Sequence, residues 1–449
     1  MNFSTIAKKY ALPLFVIAII SRSIEELSFI YYTTPLFLLL FLFLALKDVK
    51  INSFRLGSSI NWSEEEQKNN TSNDLIILLV LMLVTTIWFI ATSLWADYPM
   101  VSLERGFYFG LLATGCIAAG YLWTKESNKS LFDYLLPANI IIISLSLFSL
   151  ITNIPGDSWT GGHGKGFMGF FGHQNQLGSL IIFTIPSVFS KLWRPVNSDQ
   201  SLVISGVNTQ NATNYLLLTS YCLLLISNLL VLILTYSRAS WLSLAAGVII
   251  FLIIIKSWKI LFITFSLLTF IFILILSFPA INKTFNKILL KDFNTILESR
   301  IILWEPSLKA AEIGGLAGLG FGISEPDIIL PGTGSHYEGE RYVREKGNST
   351  LAIIEESGFI GLILFMLPIG YIITKINKLR TEPRTLNLEQ VSLRNNNFIS
   401  NAIFIASIFT FLIHSQFEAW MVGVGSVQLP LFFISLGLFV QCSKSEVLG

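Results

Sequence analysis

Two arginines in this 449-residue chain sit where they could hold a phosphate. Arg238 lies in Thr235-Tyr-Ser237-Arg238-Ala-Ser240, which interrupts a nearly continuous apolar stretch over 215–255. Arg300 lies in Glu298-Ser-Arg300-Ile-Ile-Leu-Trp304. A guanidinium is planar and offers parallel N–H donors, so it suits the oxygens of a phosphate or diphosphate. Each arginine also has a plainer reading. Arg238 at a turn could carry its charge to a membrane interface at little cost. Arg300 could pair with Glu298, Glu305 or lipid headgroups. Together at one end of a bundle, the two would make a diphosphate clamp, to which Lys165 and His173 could add.

Proton acceptors are sparse. His163, His173 and His336 lie in polar connections, and histidine accepts protons near neutral pH. A histidine in a loop, such as His336 in Gly334-Ser-His336-Tyr-Glu338, is also commonly inert. Glu338, Glu340 and Glu345 read as a solvated charge run. Glu355 and Glu356 differ, because they sit in the apolar helix start Leu351-Ala-Ile-Ile-Glu-Glu-Ser-Gly358. Carboxylates there are costly unless paired or lining a cavity, and an arginine is the expected partner. His414 and Glu418, four residues apart, could form a polar lining pair or pack at an interface. Cys116, Cys222 and Cys442 show no metal-ligand spacing.

The elements that must position these groups are apolar helices. The chain is 53% hydrophobic and 13% charged, against roughly 25% charged in soluble domains, and its mean hydropathy is +0.66. Disordered, collagen-like, disulfide-scaffold and nucleic-acid-binding classes are excluded. A net charge of +2 does not by itself imply a polyanionic partner. Twelve apolar segments approach the roughly 20 residues that a transmembrane helix needs: 6–21, 28–46, 75–95, 101–123, 130–152, 177–194, 215–236, 239–255, 258–278, 351–374, 399–416 and 421–441. As one helix, 215–255 would be about 60 Å long, twice the hydrocarbon thickness, so it is expected to fold back with Arg238 at the tip. No strand-period segment is evident. The fold class is therefore an all-α, polytopic transmembrane bundle of about twelve spans.

Lysine and arginine concentrate in the connections that become cytoplasmic when the N-terminus is inside. Apart from one long loop, the opposite face holds only Arg22, Arg105, Lys165 and Arg238, so both termini are expected in the cytoplasm. One integral membrane domain over 1–449 is expected, with its soluble mass in an external, partly helical loop at 279–350, between spans nine and ten. That loop opens on an amphipathic stretch from Phe285 to Ala311 and continues into a glycine-rich run. Loops this long are often functional. The span count and the cytoplasmic middle loop also describe many secondary transporters, which is the alternative reading.

In this order, the motifs resemble the O-antigen ligase and polysaccharide polymerase superfamily, bacterial inner-membrane enzymes acting on undecaprenyl-diphosphate-linked glycans. The resemblance runs over about 150–365. Gly172-His-Gln-Asn175-Gln-Leu is similar to its Gly-x-x-Asn-x-Leu segment, and Ser237-Arg238 to its Ser-Arg turn. Arg300 to Trp304 matches its Arg-x-x-x-Trp helix, and Gly318-Leu-Gly320-Phe-Gly322 its Gly-x-Gly-x-Gly stretch. Asn348, nine residues, Gly358, two residues and Gly361 follow the ligase register, with Glu356 at a frequent Glu. Gly347 stands where the ligases carry the histidine expected to act as base, which favours a polymerase over a lipid A-core ligase.

The resemblance implies a lipid-linked glycan donor, a glycan or lipid-linked acceptor, surrounding membrane lipid, no nucleic acid, no cofactor and no metal. It implies that Arg238 and Arg300 neutralise the leaving diphosphate, with His336 or Glu356 as base. Lys165, His173, Asn175 and Asn348 are the expected substrate-binding residues. The expected location is the bacterial inner membrane, with the chemistry on its periplasmic face.

Overall fold

The computed structural model describes residues 3–24, 27, 33–54, 62–126, 132–155, 158–159, 166–193, 209–278, 298–324, 336–338, 341–343, 346–381 and 388–442. Its helices in chain order are α1 (Phe3–Ser21), α2 (Thr34–Phe54), α3 (Trp62–Ala91), α4 (Pro99–Glu126), α5 (Leu136–Thr152), α6 (Gln174–Thr184) and α7 (Pro186–Leu192). They continue with α8 (Thr209–Leu234), α9 (Arg238–Ile254), α10 (Trp258–Ser277), α11 (Glu298–Gly314), α12 (Ser349–Thr381), α13 (Leu388–His414) and α14 (Gln428–Cys442).

Each expected apolar segment overlaps a helix, that at 177–194 overlapping two, and 421–427 forms turns before α14. Among the described residues, four stretches are long and apolar enough to cross a membrane: Asn73–Leu94, Pro99–Trp123, Tyr215–Leu234 and Ser349–Lys375. Seven shorter apolar helical stretches accompany them. The segment at 177–194 is broken into α6 and α7 at Pro186, which has no N–H to continue the ladder. The stretch at 215–255 breaks at Tyr236, whose φ of 51° is left-handed. Across that turn the Trp241 indole donates back to the Leu232 carbonyl at 2.8 Å.

Helix α4 is central and packs against α14, α2, α3 and α1. Where it crosses α14 the backbones meet through small residues. A Cβ on Gly120 would lie 2.2 Å from the Ile434 carbonyl, and one on Gly437 would lie 2.0 Å from the Ile117 carbonyl. Such close approach lets dispersion hold helices together where lipid removes the hydrophobic drive between them. A buried amide pair ties α5 to α8: Asn139 and Asn228 exchange hydrogen bonds at 2.8 and 3.0 Å, and Asn139 also donates to Thr184 of α6 at 2.9 Å. On the outside, α8 and α10 leave large apolar side chains bare, with Leu216 69% and Phe262 73% exposed. A surface of that kind suits lipid rather than water.

The described residues are helical apart from one short hairpin, in which His336–Glu338 and Arg341–Val343 pair antiparallel with Tyr337 opposite Tyr342. Three-residue strands are too short to raise an alternating pattern. The helix that follows the apolar stretches spans Glu298–Gly314. The part of the expected amphipathic stretch before residue 298 lies outside the described residues.

Candidate active site

The glycine-rich run after α11 builds one wall of the site. It lies against the start of α12, where Leu319 and Gly320 donate backbone N–H groups to the carbonyls of Glu355 and Glu356 at 2.9 and 3.0 Å. Phe359 donates to the Gly315 carbonyl at 3.1 Å. This docking needs glycine on both sides. Gly318 has φ +81°, and a Cβ there would sit 2.4 Å from the Ser357 nitrogen. Gly358 has φ +72°, and its Cβ would sit 2.0 Å from the Leu316 carbonyl oxygen. Side chains rarely adopt such φ values. Between Gly320 and Gly322, Phe321 is fully buried and stacks on Phe89 with ring centroids 4.3 Å apart. That anchor fixes the run to α3.

Behind this wall is a compact charge cluster. The Lys346 ammonium contacts a Glu356 oxygen (Oε1) and lies 3.5 Å from Glu355 Oε2. The second Glu356 oxygen accepts the Gly322 N–H at 2.7 Å. Arg105 of α4 donates to the Gly322 carbonyl at 2.8 Å. Lys346, Glu355 and Glu356 are all buried. The arginine expected to pair with the two glutamates is thus a lysine, brought by the segment leading into α12.

A polar cavity of about 420 Å³ opens between these groups and the loop joining α13 to α14. That is within the range of small-molecule sites. Its lining includes Arg105, Lys346, Glu356, Glu418, Asn175 and Gln428, and also His173 and His414. Glu418 joins the cavity to Arg300. Its Oε1 accepts from Arg300 Nη2 at 3.1 Å and from Asn175 Nδ2 at 2.9 Å. Arg300 Nη1 donates to the Phe417 carbonyl at 2.5 Å. Arg300 therefore takes Glu418 rather than Glu305, which meets Lys309 at 3.4 Å. Arg238, half-buried at the start of α9, lies near enough to Arg300 for their charges to repel. The free N–H groups of a helix's first turn add to its pull on an anion.

The histidines have distinct positions. His173 caps α6, its Nδ1 accepting the Asn175 N–H at 3.1 Å. His414 is fully buried. Its Nδ1 accepts the Trp420 indole N–H at 3.2 Å, which leaves the ring proton on Nε2, 3.4 Å from Ser240 Oγ. The backbone of His336 is in the hairpin, and its side chain lies outside what the structure describes. Lys165 and His163 lie outside the described residues. Asn348 caps α12 by accepting the Leu351 N–H at 3.0 Å, and it donates to the Gln416 carbonyl at 3.1 Å.

At Gly347 a side chain would meet the neighbouring helix. A Cβ there would lie 2.7 Å from Leu303 Cβ, and the Gly347 carbonyl accepts the Trp304 indole N–H at 3.1 Å. The glycine lets this segment press against α11.

Lys346 and Arg105 escaped the sequence reading as site residues. Their only signal was charge near an apolar segment, and nothing in their spacing linked them to Glu356.

No curated protein matches the chain. Residues 222–366 match the sequence model of the family described as O-antigen ligase. The matched segment spans Arg238, Arg300, Gly347 and Glu356 on a scaffold of apolar helices, so over that segment the chain is similar to the O-antigen ligase family, and the match and the helices together support a membrane protein.

Proposed function

We propose that this protein polymerises undecaprenyl-diphosphate-linked oligosaccharides on the periplasmic face of the inner membrane. The family supports a membrane glycan ligase or polymerase acting on lipid-linked glycans. The observation that carries the finer reading is Arg300 bound to Glu418 of a polar cavity of about 420 Å³, with Arg238 close enough to Arg300 for their charges to interact. In this reading the arginines bind the donor diphosphate. The sugar to be transferred reaches into the cavity, and the lipid tail lies along the apolar outer helices. Charge developing on the departing diphosphate is then met by donors already in place, usually the largest electrostatic contribution to such a transfer. About twelve spans, both termini in the cytoplasm and the 279–350 loop outside complete the arrangement.

Gly347 supports polymerase over lipid A-core ligase, because the chain lacks the histidine of the ligase pattern and the position is closely packed against Leu303. Asn175 and Asn348 are placed to organise the loop that borders the cavity. Both oxygens of Glu356 are occupied, which supports a part in shaping the wall more than a part as base. From the sequence pattern alone, Lys165 stays a substrate-binding candidate and His336 a candidate base.

The test is a gel profile of lipid-linked and surface glycans in cells lacking the protein. The cells are complemented with wild type, Arg238→Ala or Arg300→Ala, with membrane insertion verified. Single repeats without long chains, restored only by wild type, are the expected result. Long chains stranded on undecaprenyl diphosphate would instead mean ligase activity. An unchanged profile in every strain would overturn the glycan role and bring the transporter reading forward.

A further inference from the structure

Glycan transfer needs a group that removes the acceptor hydroxyl proton, and we infer that Glu418 is that base. The inference rests on the glycan-transfer reading above. Glu418 lines the polar cavity, and only one of its carboxylate oxygens is engaged. Oε1 takes both the Arg300 and the Asn175 hydrogen bonds, while Oε2 has no hydrogen-bond partner among the described residues. The backbone holding it is clamped on two sides. Arg300 Nη1 donates to the Phe417 carbonyl at 2.5 Å, and Ser349 Oγ donates to the Glu418 carbonyl at 2.9 Å. One oxygen is thus a fixed anchor, and the other is left as the acceptor on a residue that lines the cavity.

The other candidates are worse placed. Glu356 uses one oxygen on Lys346 and the other on the Gly322 N–H. Glu355 is fully buried against Lys346 and does not line the cavity. His414 accepts from Trp420 at Nδ1 and carries its proton on Nε2, so neither nitrogen is an open acceptor. His173 spends Nδ1 on capping its own helix.

Arg300 links base and leaving group. A guanidinium has five N–H donors, and its contacts with Phe417 and Glu418 leave others for a phosphate oxygen. In the transfer step the acceptor oxygen bonds to the donor's anomeric carbon, and its proton passes to Glu418 Oε2. The carbon–oxygen bond to the diphosphate breaks, and its electron pair leaves with the lipid diphosphate beside Arg300 and Arg238. The proton on Glu418 then returns to solvent through the cavity.

The test uses the full chain in nanodiscs with a lipid-diphosphate-linked oligosaccharide donor, measuring kcat and donor KM. Glu418→Gln retains an oxygen for Asn175 and Arg300 but is not a base. It should lower kcat by roughly 10²–10⁴-fold and leave donor KM within about threefold. Glu418→Ala should lose similar activity and regain part of it with added formate. A Glu418→Gln enzyme near wild-type kcat would overturn the inference. So would a rise in donor KM that accounts for the loss, since Glu418 would then only position Arg300. A Glu418→Gln chain that no longer elutes like wild type would make the residue a structural strut, with the same consequence. If the wild type itself forms no glycosidic bond, the parent reading fails, and that outcome is separate from all of these.

Discussion

Replacing Lys346 by alanine should unsettle the site more than any other single truncation near the cavity. Lys346 is 9% exposed, and its two partners, Glu355 and Glu356, are 0% and 3% exposed. At the 3.5 Å separation from Glu355, the gross attraction is about 5 kcal/mol with an effective dielectric constant near 20. The Glu356 contact is closer still. The net loss is smaller than this sum, because desolvation offsets much of the attraction. Breaking a buried pair by removing one partner costs about 3–5 kcal/mol. Arg105 remains close enough to attract Glu356, which places the loss near the lower end. Thermal unfolding of the detergent-solubilised protein should therefore fall by about 5 °C or more. The decisive comparison is the double variant Lys346→Ala with Glu356→Gln, which removes one of the stranded charges and should recover a large part of the loss. A Lys346→Ala protein within a degree of wild type would refute the reasoning. So would a double variant no more stable than the single one, because neither result fits a cluster held by opposite charge.

Two further predictions concern the glycine positions. Gly358→Ala places a Cβ 2.0 Å from a backbone oxygen at φ +72°, combining left-handed strain of about 1–3 kcal/mol with a clash the backbone cannot relieve. Purified yield and unfolding temperature should both drop sharply, and wild-type values would show that the glycine run does not pack on α12 in this way. Gly347→His should not create ligase activity, because its Cβ meets Leu303 at 2.7 Å. Adding Leu303→Ala should restore stability to that variant, measured by the same unfolding assay, and a Gly347→His protein as stable as wild type would remove the packing explanation.

What was legible in the sequence was whatever depends on local composition. Apolar runs register as helices because each must satisfy its own backbone hydrogen bonds in lipid. The break at Arg238 was readable because no single helix of that length fits a bilayer. Arg238 and Arg300 were visible as candidates because a charge beside an apolar segment is costly and rarely idle. The hairpin at His336–Glu338 was not legible, since three residues carry no measurable period.

Partners were decided by the tertiary structure. Arg300 had nearby glutamates in sequence, yet it meets Glu418, 118 positions away. Asn175 reaches the same carboxylate across 243 positions. Glu356 takes Lys346 as its partner, with Arg105 brought alongside by α4 through the Gly322 carbonyl. Sequence alone determined that the chain is a helical membrane protein with arginines suited to phosphate, because hydropathy and charge are properties of each segment by itself. Which carboxylates line the cavity was decided only by the fold, because it depends on how helices far apart in the chain pack against one another.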